Sequence, residues 1–259
     1  MNKIPFPTPE RICFAGDWHG STSAGVEAIK YASKHQAEVI IQLGDFGFWG
    51  DERSYRYIKK LNNEAKREKI KILWIDGNHE NFNKLNNIPI SEVTGLRHFG
   101  DHIFHLPRNY RWSWGGLTFH SLGGGTSLDR LNRTLNINWF EEEAISDSEA
   151  EDAKSLGYAD ILLTHDCPDG VDIPGIDRLT SLRRWPEITL REAWRHRERL
   201  AEIASHITPR YIFHGHFHIP YQSRFNFTDI YETVITGLGH EDYGVNGNLK
   251  IIKLEELIS

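Results

Sequence analysis

The sequence predicts an α/β fold, and the order of its apolar runs supports that prediction. Short apolar runs at residues 11–15, 39–43 and 70–75 alternate with longer segments of helical spacing at 26–35 and 55–68. Such alternation is typical of parallel strands joined by helices. Shorter aromatic runs follow in the middle of the chain, and apolar runs return near its end. We therefore expect one α/β layer with parallel strands, and further strands that do not alternate with helices.

Aromatic-rich runs replace the strand and helix alternation from about residue 102. They cover residues 103–106, 110–114 and 117–122, and they are separated by Asn109 and by the pair Gly115–Gly116. Short runs broken by turn residues are typical of antiparallel strands. We expect the remaining strands at residues 161–164, 211–214, 221–227, 232–236 and 249–254.

Two polar segments predict helices on the outside of the protein. Acidic residues dominate 141–154, which we interpret as a solvated helix rather than a binding tail. Residues 189–207 carry apolar side chains near helical spacing, with arginines on the remaining faces. This pattern favours a helix packed on the surface over a helix that binds nucleic acid.

The composition of the chain indicates which kinds of partner and which cellular compartment to expect. The 259 residues carry a net charge of -6, which disfavours binding to long nucleic acids unless basic residues cluster. The two cysteines, Cys13 and Cys167, imply no disulfide framework and favour a reducing cytoplasm. No apolar run approaches the roughly 18 residues of a membrane span. We expect one domain over residues 1–259, with no membrane contact. The sequence predicts no particular oligomeric state.

Metal-capable side chains follow five of the predicted strands. Strand ends are where sites form in α/β proteins. In D-x-H and H-x-H spacings, residues two apart on an extended backbone point the same way and can hold one ion. A single such residue is weak evidence, but five clusters in series predict a metal centre. The side chains are Asp17, His19, Asp45, Asn78, His79, His165, His216 and His218.

The order of these motifs resembles the calcineurin-like metallophosphoesterase family, whose signatures are D-x-H, G-D, G-N-H-E/D, a lone His and G-H-x-H. The resemblance extends from about Arg11 to His218. The glycine turn at 123–125 and the stretch at 139–142 are also similar to small stand-alone bacterial and bacteriophage members. The resemblance implies a four-layer sandwich, with two mixed β-sheets packed face to face and helices outside.

The resemblance also implies a role for each motif residue. Asp45 would bridge two metal ions, and with His79 it forms the expected catalytic pair. His79 would face the substrate beside Asn78, as a proton donor or charge stabiliser for the leaving oxygen. Mixed carboxylate, amide and imidazole donors suit Mn, Fe or Zn, of which we favour Mn. One ion would be held by Asp17, His19 and His218, and the other by Asn78, His165 and His216.

Such a centre predicts hydrolysis of phosphoesters. Two cations roughly 3.5–4 Å apart can bind a phosphate oxygen and neutralise charge during in-line attack. Coordination brings the pKa of water from about 15.7 toward roughly 7. The expected nucleophile is therefore a metal-bridging hydroxide.

The residues after Asp45 bear on the substrate. Family phosphatases of the serine/threonine type carry Asp-Arg-Gly here, whereas this chain continues as Phe46–Gly47. The chain more closely resembles the branch that contains cyclic-nucleotide phosphodiesterases. We predict a phosphodiesterase for small nucleotides, such as 2′,3′- or 3′,5′-cyclic species. The alternatives are a phosphomonoesterase or protein phosphatase, a nucleotide pyrophosphatase, and a non-catalytic scaffold.

Several residues outside the motifs keep two interpretations. Arg130 and Arg133 could bind the substrate phosphate through planar donor pairs, or lie in a surface loop. Trp49 and Phe48 could stack on a base, although core packing is favoured. Asp166 could orient a ligand histidine or form a turn. Structural or surface roles are expected for Cys167, His98, His102, His105, His120, His206, His214 and His240.

Overall fold

In the computed structural model, the described residues form two mixed β-sheets of six strands each, which pack face to face. The structure describes residues 2–176, 185–229 and 231–258. The strands of the first sheet are β1 (Arg11–Ala15), β2 (Val39–Gln42), β3 (Lys71–Trp74), β4 (Arg97–His98), β5 (Ile103–His105) and β12 (Leu249–Lys253).

The first sheet has the order β12-β1-β2-β3-β5-β4. Its four central strands are parallel, and β12 and β4 run antiparallel to their neighbours at the two edges. The prediction that residues 103–106 belong to an antiparallel group is therefore wrong for the pairing of β5 with β3. The connection between these strands is long enough for a crossover, which parallel pairing requires.

The second sheet contains the aromatic strands and has the order β10-β11-β9-β8-β7-β6. The pairs β6–β7 and β10–β11 are antiparallel, and β7, β8, β9 and β11 are parallel to one another. Its strands are β6 (Tyr110–Trp114), β7 (Leu117–Gly123), β8 (Ile161–Thr164), β9 (Tyr211–His214), β10 (Tyr221–Asn226) and β11 (Glu232–Gly237).

Helices cover the outer faces of both sheets. Within the described ranges, no helix is long and apolar enough to cross a membrane. Short 3₁₀ turns lie at Arg130–Asn132, Glu141–Glu143 and Glu241–Tyr243. The α-helices are α1 (Thr22–Lys34), α2 (Glu52–Glu68), α3 (Phe82–Asn86), α4 (Asp147–Ser155), α5 (Glu187–Ile207), α6 (Gly244–Asn248) and α7 (Leu254–Ile258).

The first two helices begin earlier than the apolar pattern predicts. The side chains of Ser21 and Asp51 accept hydrogen bonds from the backbone N–H groups of Ala24 and Ser54. These caps stabilise the first turn of each helix, typically by about 1 kcal/mol. Because capping side chains are polar, the spacing of apolar residues alone misses them.

Alternate side chains of β1 show how the layers are held together. Ile12 and Phe14 belong to the core between the sheets, where Phe14 stacks on Phe213 with ring centroids 3.8 Å apart. Cys13 and Ala15 belong to the apolar layer between the first sheet and α1 and α2. A third apolar layer joins the second sheet to α4 and α5. The order helix, sheet, sheet, helix confirms the predicted four-layer sandwich.

The two polar segments each bury an ionisable side chain that the sequence pattern places in solvent. Glu143 is buried in the 3₁₀ turn before α4, and Arg197 is buried on α5. Arg197 donates hydrogen bonds to the carbonyl oxygens of Cys167 and Pro168 over 2.9 and 3.2 Å. The prediction of solvated faces is therefore wrong at these two positions, because hydrogen bonds offset the lost hydration.

Candidate metal centre

The predicted ligands lie just beyond the carboxyl ends of five strands. The first sheet supplies them after β1, β2 and β3, and the second sheet supplies them after β8 and β9. Because the strands within each set are parallel, their carboxyl ends meet at one edge. The structure brings together Asp17, His19, Asp45, Asn78, His79, His165, His216 and His218 at this edge.

Asp17, His19 and His218 form the first cluster. Nε2 of His218 lies 3.1 Å from Oδ2 of Asp17, and Nε2 of His19 lies 3.9 Å from the same oxygen. Asp17 is fully buried, and its Oδ2 has no hydrogen-bond partner among the described residues. A buried carboxylate oxygen that faces two imidazoles fits a divalent cation.

Asn78, His165 and His216 form the second cluster. Oδ1 of Asn78 lies 3.0 Å from Nε2 of His165 and 3.0 Å from Nδ1 of His216. Nδ1 of His165 donates to the carbonyl oxygen of Leu43 over 2.7 Å, which turns Nε2 toward the cluster. One amide oxygen and two imidazole nitrogens therefore converge, as a transition-metal site requires.

Asp45 lies between the two clusters. Its Oδ1 is 3.4 Å from Nε2 of His165, and its Oδ2 is 3.3 Å from Nε2 of His19. The side chain is buried, and its Oδ1 also accepts a hydrogen bond from the backbone N–H of His79 over 2.9 Å. One carboxylate thus reaches a histidine of each cluster, which fits a ligand shared by two ions.

The backbone of the centre is held in unusual conformations. His19, Asp45, His216 and His218 have φ angles of 42°, 53°, 67° and 59°. This left-handed region costs a non-glycine residue about 1–3 kcal/mol and persists only where the surrounding structure fixes it. At Gly77, a Cβ atom would lie 2.2 Å from Oδ1 of Asp45, so only glycine allows this approach.

The carboxylates and histidines of the centre shift one another's pKa values. Burial favours the neutral form of His165 and His19, but the carboxylate of Asp45 raises the pKa of His165 to about 10 and that of His19 to about 11. Burial also opposes ionisation of Asp45, yet the charges of His165 and His79 hold its pKa well below the ordinary value. Divalent cations would satisfy the same carboxylates and replace these protons.

His79 and Arg133 meet beside the two clusters. Nε2 of His79 lies 3.8 Å from Oδ2 of Asp45, and Nη1 of Arg133 lies 2.7 Å from Nδ1 of His79. Burial lowers the pKa of His79, and the charge of Arg133 lowers it further. Nε of Arg133 also lies 2.9 Å from Oδ1 of Asp129. The pair can therefore present one proton donor and one cation to a phosphoester.

Arg130 makes its described contacts with residues outside the two clusters. Its guanidinium forms hydrogen bonds with both carboxylate oxygens of Glu192 on α5 and lies over the ring of Trp139, 5.3 Å from the centroid. The role of Arg130 in substrate binding stays a prediction, and these contacts do not favour it.

Comparison with known proteins agrees with this geometry. The model of the calcineurin-like phosphoesterase family matches residues 10–220. The chain belongs to this family. Among solved structures, TT1561 of Thermus thermophilus has a TM-score of 0.56 at 12% identity, and the match covers 95% of this chain and 99% of that one. A dimetal phosphatase from Danio rerio has a TM-score of 0.56 at 13% identity, with 95% and 93% covered. At these identities the likeness shows the fold.

A curated relative matches a shorter stretch of the chain. Shewanella-like protein phosphatase 2 of Arabidopsis thaliana is 32% identical in an alignment of 104 positions that covers 36% of this chain and 27% of that protein. The chain therefore spans about a quarter of that relative's length. Family membership supports metal-dependent hydrolysis of phosphoesters, and the carboxylate and imidazole clusters could hold the ions.

A buried network behind Asn78 orients its side chain. Nδ2 of Asn78 donates to Oγ of Ser127 over 3.0 Å, and Oγ of Ser127 donates to Oε2 of Glu143 over 2.7 Å. Glu143 also accepts from the backbone N–H of Ser127 and from Nε1 of Trp139. Because Nδ2 is engaged, Oδ1 of Asn78 faces the histidines. Sequence reasoning missed Ser127 and Glu143, since neither has a motif spacing.

The structure places three residues outside the motifs, of which Phe48 has the core position that the sequence favours for it. Asp166 pairs with His196 of α5, with 2.8 Å between Oδ2 and Nδ1, rather than with a ligand histidine. His240, expected to be a structural or surface residue, packs on His218 with ring centroids 4.5 Å apart. Phe48 is fully buried and belongs to the core. These contacts join segments far apart in the chain, so local patterns do not reveal them.

Proposed function

We propose that this protein is a binuclear metal-dependent phosphodiesterase acting on small nucleotides, such as 2′,3′- or 3′,5′-cyclic nucleotides. The observation that carries the binuclear part is the position of Asp45, whose two carboxylate oxygens face His19 and His165. Two bound cations, for which we favour Mn over Fe or Zn, would supply Lewis acidity and lower the pKa of coordinated water toward roughly 7. Asp17, His19 and His218 would hold one cation, and Asn78, His165 and His216 the other.

Side chains of the protein act on the substrate itself. His79 donates a proton to the leaving oxygen or stabilises charge on it, because its Nε2 faces the side of Asp45. Arg133 holds His79 and contacts the phosphate, while Asn78 lies beside both clusters. This division separates the metal-holding side chains from those that act on the leaving group.

A cavity beside His79 supports a substrate with an organic group on the phosphate. The cavity has a volume of about 270 Å³, and His79 and Arg133 form part of its wall. Trp49, Ile137 and Phe140 supply apolar surface to the same wall. Nε1 of Trp49 donates to the carbonyl oxygen of His79 over 3.0 Å, so the indole is fixed next to the proposed acid. A flat, uncharged ring, such as a nucleobase, suits this wall.

The charge balance around Arg133 favours a diester over a monoester. A monoester carries an additional negative charge, which a free cation would stabilise. Arg133 is the cation nearest to His79 among the contacts described, but Asp129 pairs with it over 2.9 Å. Its positive charge is therefore partly compensated, which suits the single charge of a diester.

A phosphomonoesterase is the second candidate, and one observation favours it. Arg133 occupies a place beside the centre although the chain lacks the Asp-Arg-Gly arginine. The relative from Arabidopsis thaliana is named a protein phosphatase, which agrees with monoester hydrolysis in that protein.

The test is a comparison of kcat/KM for matched esters at identical metal loading. We expect bis-p-nitrophenyl phosphate to be hydrolysed faster than p-nitrophenyl phosphate, and 2′,3′-cyclic AMP faster than 3′-AMP. Chelation should abolish turnover, and added Mn²⁺ should restore it. A preference for the monoester in both pairs overturns the diesterase proposal, and full turnover by a demonstrably metal-free preparation overturns the metal mechanism.

A further inference from the structure

We propose that Glu241 is a positioning residue for His19, through which the segment 239–248 completes one of the two metal sites. The inference rests on the proposed role of His19 as a ligand. Glu241 lies beyond residues 10–220, which the family model matches, and it follows β11 in a 3₁₀ turn.

The contact between Glu241 and His19 divides the two nitrogens of the imidazole. Nδ1 of His19 lies 2.8 Å from Oε2 of Glu241, while Nε2 faces Asp45 and Asp17 at 3.3 and 3.9 Å. A carboxylate accepts a hydrogen bond and donates none, so Nδ1 carries the proton and the Nε2 lone pair is directed at the site. A carboxylate on the far nitrogen also makes an imidazole a stronger metal donor.

His19 needs such support more than His165 does. His165 is fully buried, and its far nitrogen donates to the carbonyl oxygen of Leu43. The His19 side chain is 24% exposed and lies on a loop in the left-handed conformation. Without Glu241, water would compete for Nδ1 and the ring could rotate away from Asp45.

The segment that carries Glu241 is fixed to the same loop by several hydrogen bonds. Nδ2 of Asn248 donates to the carbonyl oxygen of Asp17 over 3.1 Å, and Nε1 of Trp18 donates to Oδ1 of Asn248 over 3.1 Å. The backbone N–H of Gly16 donates to the carbonyl oxygen of Asn248 over 2.9 Å. A Cβ atom at Gly16 would lie 2.1 Å from the carbonyl oxygen of Gly239. Glu241 therefore belongs to a packed support rather than to a free surface loop.

The experiment titrates Mn²⁺ into metal-free full-length protein and follows binding by calorimetry and by electron paramagnetic resonance. Glu241→Ala should weaken one of the two sites by about 10–100-fold and convert the coupled binuclear signal to a mononuclear one at limiting Mn²⁺. Glu241→Gln should fall between this variant and the unchanged protein, because an amide oxygen still accepts from Nδ1 but carries no charge.

Asp242→Asn is the matched control. Asp242 follows Glu241 in the same turn, but its side chain is 87% exposed and its ion-pair contact is with His240, 3.8 Å away, rather than with His19. This variant should bind both ions as the unchanged protein does. Two unaltered affinities in both Glu241 variants overturn the inference, and so does equal weakening of both sites in folded Glu241→Gln protein. The unchanged protein distinguishes the two proposals. If it binds two Mn²⁺ ions but does not hydrolyse diesters, only the proposed substrate is wrong. If it binds fewer than two ions, the proposed binuclear function is wrong.

Discussion

Arg133 donates a hydrogen bond from Nη1 to Nδ1 of His79 over 2.7 Å. A guanidinium has donors and no acceptor, and Nη2 of Arg133 lies farther from Nε2 of His79, at 3.4 Å, so the shorter contact makes Nδ1 the unprotonated nitrogen. The proton of the neutral imidazole then lies on Nε2, which is 3.8 Å from Oδ2 of Asp45. This hydrogen bond directs the proton of His79 toward the metal centre and the substrate.

Replacing Arg133 should therefore reduce turnover while leaving the metals in place. We expect Arg133→Ala to lower kcat/KM by about 10²-fold, the usual order for loss of one donor that stabilises transition-state charge. Arg130→Ala is the control, because Arg130 is engaged by Glu192 and should affect kcat/KM little. Steady-state kinetics at saturating Mn²⁺ measure both. If kcat/KM falls equally in the two variants, Arg130 also acts on the substrate.

His79→Ala should keep both metals and slow turnover by about 10²–10⁴-fold, the range for loss of general acid catalysis. Asp45→Asn should instead reduce metal occupancy, because the shared carboxylate faces both clusters. Metal analysis of purified variants, combined with kcat, measures the difference. If His79→Ala loses metal as severely as Asp45→Asn, the separation of acid from ligand is wrong.

Ser127→Ala should destabilise the fold and weaken the second metal cluster. The change removes the donor to Glu143 and the acceptor for Asn78, and an unsatisfied buried polar group costs about 1–3 kcal/mol. Thr126→Val is the control, because Oγ1 of Thr126 is buried without a hydrogen-bond partner among the described residues. Urea unfolding should show a loss for the first variant and little change for the second.

The pH dependence of stability should report Glu143. Burial raises the pKa of this carboxyl from 4.5 to about 7, so between these values the folded chain binds more protons than the unfolded chain. Its contribution to stability is therefore full below pH 4.5 and is lost as the pH rises through about 7. Urea unfolding over this range should show a smaller decline for Glu143→Gln than for the unchanged protein. Glu141→Gln, an exposed neighbour, should leave the decline as it is.

The sequence predicts the metal ligands better than the residues that hold those ligands in position. Asp17 and His19, or His216 and His218, are two residues apart and follow apolar runs, so local spacing predicts them. Glu241 lies 222 residues from His19, and no local pattern links the two. The same limit applies to β5, whose parallel pairing with β3 depends on a crossover rather than on its own residues. Long-range contacts are set by packing, which a single sequence does not display.

The strands that end at the metal centre come from two different sheets. The first cluster pairs Asp17 of the first sheet with His218 of the second, and the other cluster pairs Asn78 with His165 in the same way. A bound ion would therefore cross-link the two halves of the sandwich at that edge. Because ions would bind the folded chain in preference to the unfolded one, free metal at about 100 times Kd adds about 2.7 kcal/mol of stability per site. Metal supply would then set the lifetime of the protein against heat and proteases as well as its turnover.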